Sequence, residues 1–590
     1  MVRPASWFRS VWLSAIATSC ALPAGETTRT PAPETGKRAV AEHAVVTSAS
    51  PWASEAGLAV LRDGGNAVDA AVATAFALGV AEPQMSGLGG GGSALVWMQA
   101  DRLVEYLDFY SAQPAAAFRR PGAAVEPAGS DLRVVAVPGE VAGLKALHER
   151  FGRLPWPRLL VPAIRLAEDG FPVNQILAQM IQDEREKVAA FDASAAHLFP
   201  GGEPLPAGHR LRNPALARAL RAVAAQGAAG FHQGDVAREV VAAMNAGGHP
   251  VTLVDFGGFR PQWKRPLCTD YRGRIVLGAP PPQTGAHVLH ALELLEPFDI
   301  ASLGLPHRSA EAFDVVASAL RVAAADNRGN NDPNWASVPA AGLASEAYAR
   351  SRAQLVGTGT VAARVEPGDA AAFDDTPPPD VCAPFDPWGP AVPPPGEPGL
   401  LRHDDTSTDS SGETTHISVV DADGNAVALT QTNSTVFGSG AMAAGFFLND
   451  SGYRFDAESA ARPARSEWRT RTSTIAPTIV LENGRVRLVV GAPGGGRIPA
   501  TIAQNIVYAL DLGLDPMEAV RLPRLLPAAA NPRVELEHGF APAVLERIRA
   551  AGWEPTPESA GYARIYMIVR VGDRWIGVAD PRHDGEARGY

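Results

Sequence analysis

A threonine hydroxyl is a weak nucleophile unless a base takes its proton, and one arrangement supplies that base from the threonine's own free α-amine. Thr414 is the candidate for this chemistry. It opens the β-rich run Thr414-Thr415-His416-Ile417-Ser418-Val419-Val420 after a long polar segment. Because Thr414 is internal, its α-amine is free only if the chain is cut between Glu413 and Thr414. The same run must be placed by a hairpin. Asp423-Gly424 is a strong turn signal between Ile417/Val419 and Val427/Leu429, whose alternation suits a half-buried sheet. A turn centred on Asp423 sets Thr414 opposite Thr432, and one bulge would shift that pairing. A strand-edge threonine without chemistry satisfies the same local pattern.

The segment TTHISVVDADGNAVALTQT, Thr414 to Thr432, followed by Phe437-Gly438-Ser439-Gly440, resembles the start of the small subunit of the γ-glutamyltranspeptidase family. Members of that family are self-cleaving N-terminal nucleophile hydrolases. Further matches run along the chain: the Gly64 to Gly92 block, Val137-Pro138-Gly139, Ala167-Glu168-Asp169-Gly170, Asp270-Tyr271-Arg272-Gly273, Ala579-Asp580-Pro581-Arg582 and Gly585-Glu586-Ala587. The resemblance implies an α+β fold, the N-terminal nucleophile hydrolase αββα sandwich, with two stacked antiparallel sheets between helical layers. It also implies a large subunit, residues 25–413, and a small catalytic subunit, residues 414–590, sharing one composite fold.

By the same resemblance, Thr432 orients the nucleophile, and Gly491-Ala492-Pro493-Gly494-Gly495-Gly496 forms the oxyanion loop. Gly494 and Gly495 would donate their N–H groups to the charge that develops on an attacked carbonyl. Ser434, Ser473 and Thr474 match substrate-binding positions. Two positions depart from the family pattern. After Leu107-Asp108-Phe109 stands Tyr110, where the family has an Arg gripping the α-carboxylate of a γ-glutamyl group. A phenol cannot make the two charge-assisted bonds of a guanidinium, and the loss of such a contact costs roughly 2–5 kcal/mol. Arg454 stands where the family has an Asp for the α-ammonium, so the sign there is reversed. Together these departures imply a retuned pocket, and the loop from Phe455 to Ser473 is shorter than in lid-bearing members.

With 590 residues and a formal net charge of −11, the chain has the composition of a large soluble globular protein and no basic footprint for nucleic acid. Arg3 and Arg9 precede the short apolar run Val11 to Ala17, an export-signal pattern over residues 1–24. Cleavage before Cys20 would instead yield a lipid anchor at Cys20. No later run is long enough to span a bilayer, so a periplasmic or extracellular location is expected, with a membrane-anchored lipoprotein as the alternative. Cys268 and Cys382 are then the remaining cysteines, either paired by a disulfide or inert.

Ala53 to Val80 reads as two helices broken at Asp63-Gly64-Gly65-Asn66, with Asn66 as N-cap. Gly87, Gly89 and Gly92 satisfy a dinucleotide-binding spacing, yet a helix precedes them and a strand follows, the reverse of what a nucleotide fingerprint needs. His287 and His290 share a helix face without a third ligand, which favours a structural role and no metal. From about Glu366 to Glu413 the chain is Pro-rich and acidic, a flexible connector.

The expected activity is a γ-glutamyltranspeptidase-like amide hydrolase or acyltransferase that needs no cofactor and acts on a small-molecule amide, such as glutathione or a related acyl amide. The alternatives are an acylase for non-γ-glutamyl amides, similar to the cephalosporin acylases and with an anion presented to Arg454, and an inactive exported binding or structural protein of the same fold.

Overall fold

The computed structural model describes residues 36–114, 132–334, 336–385, 412–452, 468–557 and 563–590. The export-signal segment with Cys20, most of the connector (386–411) and Arg454 lie outside the described residues.

Two seven-stranded antiparallel sheets make up the centre of the molecule. In the first, Gly412–Val420 lies between Val45–Ser48 and Ala426–Thr435, and Gly91–Met98 and Leu103–Phe109 continue the sheet beyond the hairpin. In the second, Arg485–Gly491 lies between Thr478–Glu482 and Tyr566–Val571. The apolar side chains sort into three layers. Ile417, Val419, Val427 and Leu429 pack on Val68, Val72 and Phe76 of the helix Ala67–Ala81. Leu95, Trp97, Val420, Ala426 and Ala428 face Leu277, Ile479, Val489 and Ile568 across the gap between the sheets. Val480, Leu488 and Val490 meet Val288, Leu320, Ile502 and Ile506 of the helices beyond. The order is therefore helix, sheet, sheet, helix, as the resemblance implies.

This sandwich changes one expectation. The hairpin's alternation suggests a half-buried sheet, whereas the structure covers both faces, one by helices and one by the second sheet. Small residues such as Ala426 and Ala428 supply the inter-sheet face, which is why the alternation looks shallower than the burial.

Local chemistry sets the helix that backs the site. Asn66 caps Ala67–Ala81, accepting from the Asp69 N–H while Asp69 reaches back to the Asn66 N–H. Asp421, in the hairpin turn, adds a bond from the Ala67 N–H at 2.8 Å. The helix start and the turn that aligns the strand Gly412–Val420 are thus one hydrogen-bonded unit.

The first part of the connector is not a loose linker. Ala370 and Val365 enter the outer core, and Phe385 packs between the sheets. Cys382 pairs with Cys268 of the strand Leu267–Tyr271, with their Cα atoms 5.8 Å apart, so the thiol alternative resolves to a disulfide. Among the described residues no helix is long and apolar enough to cross a membrane.

Candidate active site

Register decides where Thr414 sits. From Thr415↔Gln431 to Val420↔Ala426 the hairpin follows the pairing expected of a turn at Asp423, with Gly424 in the left-handed region. Between Thr415 and Glu413 the register shifts by one, since Glu413 pairs with Ser434. Thr414 therefore faces two residues, Thr432 and Asn433, at a bulge, a feature that tends to re-aim side chains beside active sites. The expected partner is retained: the Thr414 hydroxyl lies 3.4 Å from Thr432 Oγ1. Thr432 Oγ1 in turn accepts the Ser434 N–H at 2.8 Å. Ser434 holds φ at 90°, a conformation that serine avoids unless its surroundings impose it.

Next along the strand, Thr415 donates to Glu82 Oε2 at 2.9 Å, tying Thr414's neighbour to the end of the backing helix. His416 bonds Thr430 Oγ1 at 2.8 Å and Ser418 Oγ at 3.1 Å, and Ser418 donates to the Tyr566 carbonyl of the second sheet. Burial pushes His416 down to about 3, so the ring is neutral and links the sheets by hydrogen bonds alone. Glycine is required at 491 because a Cβ there would overlap the His416 ring. That close approach delivers the loop following Arg485–Gly491 to the strand Gly412–Val420, against which the turn Gly495–Arg497 packs.

Within this loop Gly494 has φ 133° and Gly495 φ 56°. An added Cβ at Gly494 would stand 2.5 Å from Ala563 Cα. The turn's own bond, from the Arg497 N–H to the Gly494 carbonyl, uses an acceptor and neither glycine N–H. The helix Ile498–Leu510 starts immediately after, so its positive end adds to the potential at the loop. This is an arrangement that can stabilise an oxyanion beside the strand that carries Thr414.

Tyr110 is buried just after Leu103–Phe109, and Ser434 and Ser473 lie near enough to its phenol to help lower its pKa. Ser473 is fixed by its N–H on the Pro282 carbonyl at 3.1 Å, and half-buried Thr474 follows it. The structure thus brings Tyr110, Ser434 and Ser473 near one another. Position 454 falls in the undescribed stretch.

Three polar neighbours of these residues carry no role in the sequence reading. The Arg471 guanidinium reaches the Tyr110 phenol through Nη2 at 3.1 Å and Nε at 3.4 Å. Burial alone would raise the Tyr110 pKa; the Arg471 charge, with hydrogen bonds from Ser473, Arg471 and Ser434, takes it below the ordinary value. Buried Asp450 accepts from Thr435 Oγ1 at 2.6 Å; burial raises its pKa, while Thr435 and the charges of Arg471 and Lys187 oppose the rise. Asn449, fully buried, bonds the backbone of Gly89, Ala136 and Ser451, so it ties the glycine block to the pocket wall. For Asn449 a signal exists in the sequence: an amide that opens an Asn-Asp-Ser-Gly run after the apolar Phe446-Phe447-Leu448.

The two histidines of the helix Gly285–Leu295 stand apart from this site. His290 bonds Asp326 at 3.0 Å and stacks on Tyr348, and burial pushes His287 down to about 4.

Comparison with known proteins agrees with this geometry. The family model "Gamma-glutamyltranspeptidase" matches residues 53–590. A "Glutathione hydrolase proenzyme" from Escherichia coli (strain K12) is 31% identical over 575 residues, covering 93% of this chain and 92% of that protein. An "Acylase ACY 1 proenzyme" from Pseudomonas sp. (strain SE83) is 32% identical over 531 residues, covering 88% of each. Among solved structures, a cephalosporin acylase from Bacillus halodurans superposes with a TM-score of 0.80 at 25% identity, covering 96% of this chain and 99% of that one. With the sandwich, the threonine pair and the glycine loop in place, the match over nearly the whole described chain establishes that the protein belongs to the gamma-glutamyltranspeptidase family.

Proposed function

We propose that the protein is a self-cleaving amide hydrolase and acyltransferase in which Thr414 is the nucleophile. The observation that carries this reading is the Thr414 hydroxyl 3.4 Å from Thr432 Oγ1 at a strand bulge, beside a glycine loop suited to an oxyanion. In maturation, Thr414 Oγ1 attacks the Glu413 carbonyl carbon. The Glu413–Thr414 C–N bond breaks as its nitrogen takes the hydroxyl proton, and water hydrolyses the resulting ester. The products are a Glu413 carboxylate and a free Thr414 α-amine beside its own hydroxyl.

In turnover that amine takes the hydroxyl proton while Oγ1 bonds the carbonyl carbon of an amide substrate. The Gly494 and Gly495 N–H groups receive the oxyanion, and Thr432 holds the hydroxyl in line. The proton passes to the departing amine, leaving an acyl ester. Water then releases the acid, or a second amine takes the acyl group.

γ-Glutamyl compounds are one substrate class on this reading; other acyl amides are the second, and Tyr110 at the carboxylate-clamp position favours them. We also propose export to an oxidising compartment, which the Cys268–Cys382 disulfide supports.

Purified protein incubated with γ-glutamyl, glutaryl and pentanoyl p-nitroanilides tests the chemistry through release of p-nitroaniline. Wild type is expected to turn over at least one donor and Thr414→Ala none. A fully active Thr414→Ala protein would eliminate the nucleophile.

A further inference from the structure

We infer that Arg471 is the anion anchor of the acyl pocket, and that the preferred acyl donors are amides whose acyl chain ends in an ionised carboxylate. The inference rests on Thr414 as nucleophile and specifies the substrate class of that same site.

The path from the proposed nucleophile to Arg471 runs through neighbouring polar residues. Thr414 meets Thr432, Thr432 accepts from the Ser434 N–H, Ser434 lies near enough to the Tyr110 phenol to help lower its pKa, and the phenol accepts from Arg471. The first four residues are buried and Arg471 is half-buried at the end of the series. A guanidinium there is held on a framework shared with the reacting hydroxyl, so an acyl chain lying along this wall would carry its far end to the positive charge.

The geometry of the contact matters as much as the charge. Nε and Nη2 lie on one edge of the guanidinium, and both converge on a single phenol oxygen at 3.4 and 3.1 Å. That edge is the one that grips a carboxylate through two parallel bonds, and such pairs are roughly twice as strong as bonds between neutral groups. An entering carboxylate would take the edge from the phenol. The phenol and the neighbouring Ser473 hydroxyl would then turn their hydrogens toward the same anion. Asp450 is the acid that opposes it, buried and bonded to Thr435, so it sets a sign preference by repelling anions that miss the guanidinium.

Residue 471 follows the short strand Trp468–Thr470, which pairs with Ala112–Pro114 two residues beyond Tyr110. That pairing explains how a guanidinium from a remote part of the sequence reaches the position of a phenol. It also places Arg471 beside Tyr110.

The test compares kcat/KM for glutaryl and pentanoyl p-nitroanilides, which differ at the far end by a carboxylate against a methyl group. The ratio glutaryl/pentanoyl is measured in wild type, Arg471→Ala and Arg471→Lys. It is expected to fall at least tenfold in Arg471→Ala and by a smaller factor in Arg471→Lys, which keeps the charge and loses the fork. Should the alanine protein not fold, the lysine variant carries the same test. A ratio unchanged in the folded variants, with wild-type turnover intact, would overturn the anchor and leave the nucleophile standing. Failure of wild type to turn over any donor would overturn the nucleophile reading, and the anchor with it.

Discussion

Gly494 is the residue at which the proposed chemistry and the backbone constrain each other most tightly. Its φ of 133° and the approach of Ala563 leave no room for a side chain, so Gly494→Ala must move the loop that aims the N–H groups. Loss of one oxyanion donor lowers turnover on the order of 10²–10³-fold. Gly494→Ala is therefore expected to reduce kcat by about a hundredfold or more on every donor, with the maturation cut also slowed, measured by initial rates and by gel analysis of the two chains. Wild-type kcat in the variant would remove the loop from the mechanism. At this scale the approach of Thr414 to Thr432 is legible in the hairpin's spacing, and Gly494 and Gly495 are legible as a turn that needs positive φ. The sequence is silent on Arg471 and Asp450, because their roles depend on which remote strand lies beside Tyr110, and no local spacing encodes that.

Elements position these residues through buried polar contacts as well as apolar packing. The helix Gly285–Leu295 lies on the strand Leu267–Tyr271, where Thr269 donates to Glu293. Burial raises Glu293 to about 8, partly offset by the Thr269 bond. Its folded value lies above its unfolded one, so the folded state binds the extra proton between about 4.5 and about 8. Stability from this group is fully present below the unfolded pKa and is lost as pH rises through the folded pKa. Glu293→Gln keeps the acceptor for Thr269 and carries no titrating proton. The variant is expected to match wild type near pH 4.5 and to exceed it at pH 8.5 by roughly 3–5 kcal/mol, read from denaturant unfolding at the two pH values. A variant no more stable than wild type at pH 8.5 would contradict the assignment. The elements themselves follow from sequence well: the helices around Asn66, the strand after the glycine block and the Asp423-Gly424 hairpin all form. The bulge at Thr414 does not follow, because it depends on contacts that the hairpin makes outside itself, such as the Asn433 N–H on the Met85 carbonyl. The packed start of the connector is equally invisible, since a Pro-rich acidic composition says nothing of the disulfide that pins it.

For the whole molecule, the sheets interleave the two halves of the chain. In the first sheet, Val45–Ser48 from the amino-terminal half separates Glu586–Gly589 from the nucleophile strand, and Gly91–Met98 flanks the hairpin. In the second, Arg38–Ala41 and Arg274–Gly278 border the carboxy-terminal strands. A cut at Glu413–Thr414 therefore leaves two chains that share both sheets and three cores, and both cysteines of the disulfide remain in the larger one. The most direct measurement is the N-terminal sequence and intact mass of the purified active protein, taken alongside Thr414→Ala. The expected result is two co-purifying chains, the smaller beginning at Thr414, and an uncut, inactive Thr414→Ala protein. Substrate turnover by a polypeptide verified to be uncut would contradict it.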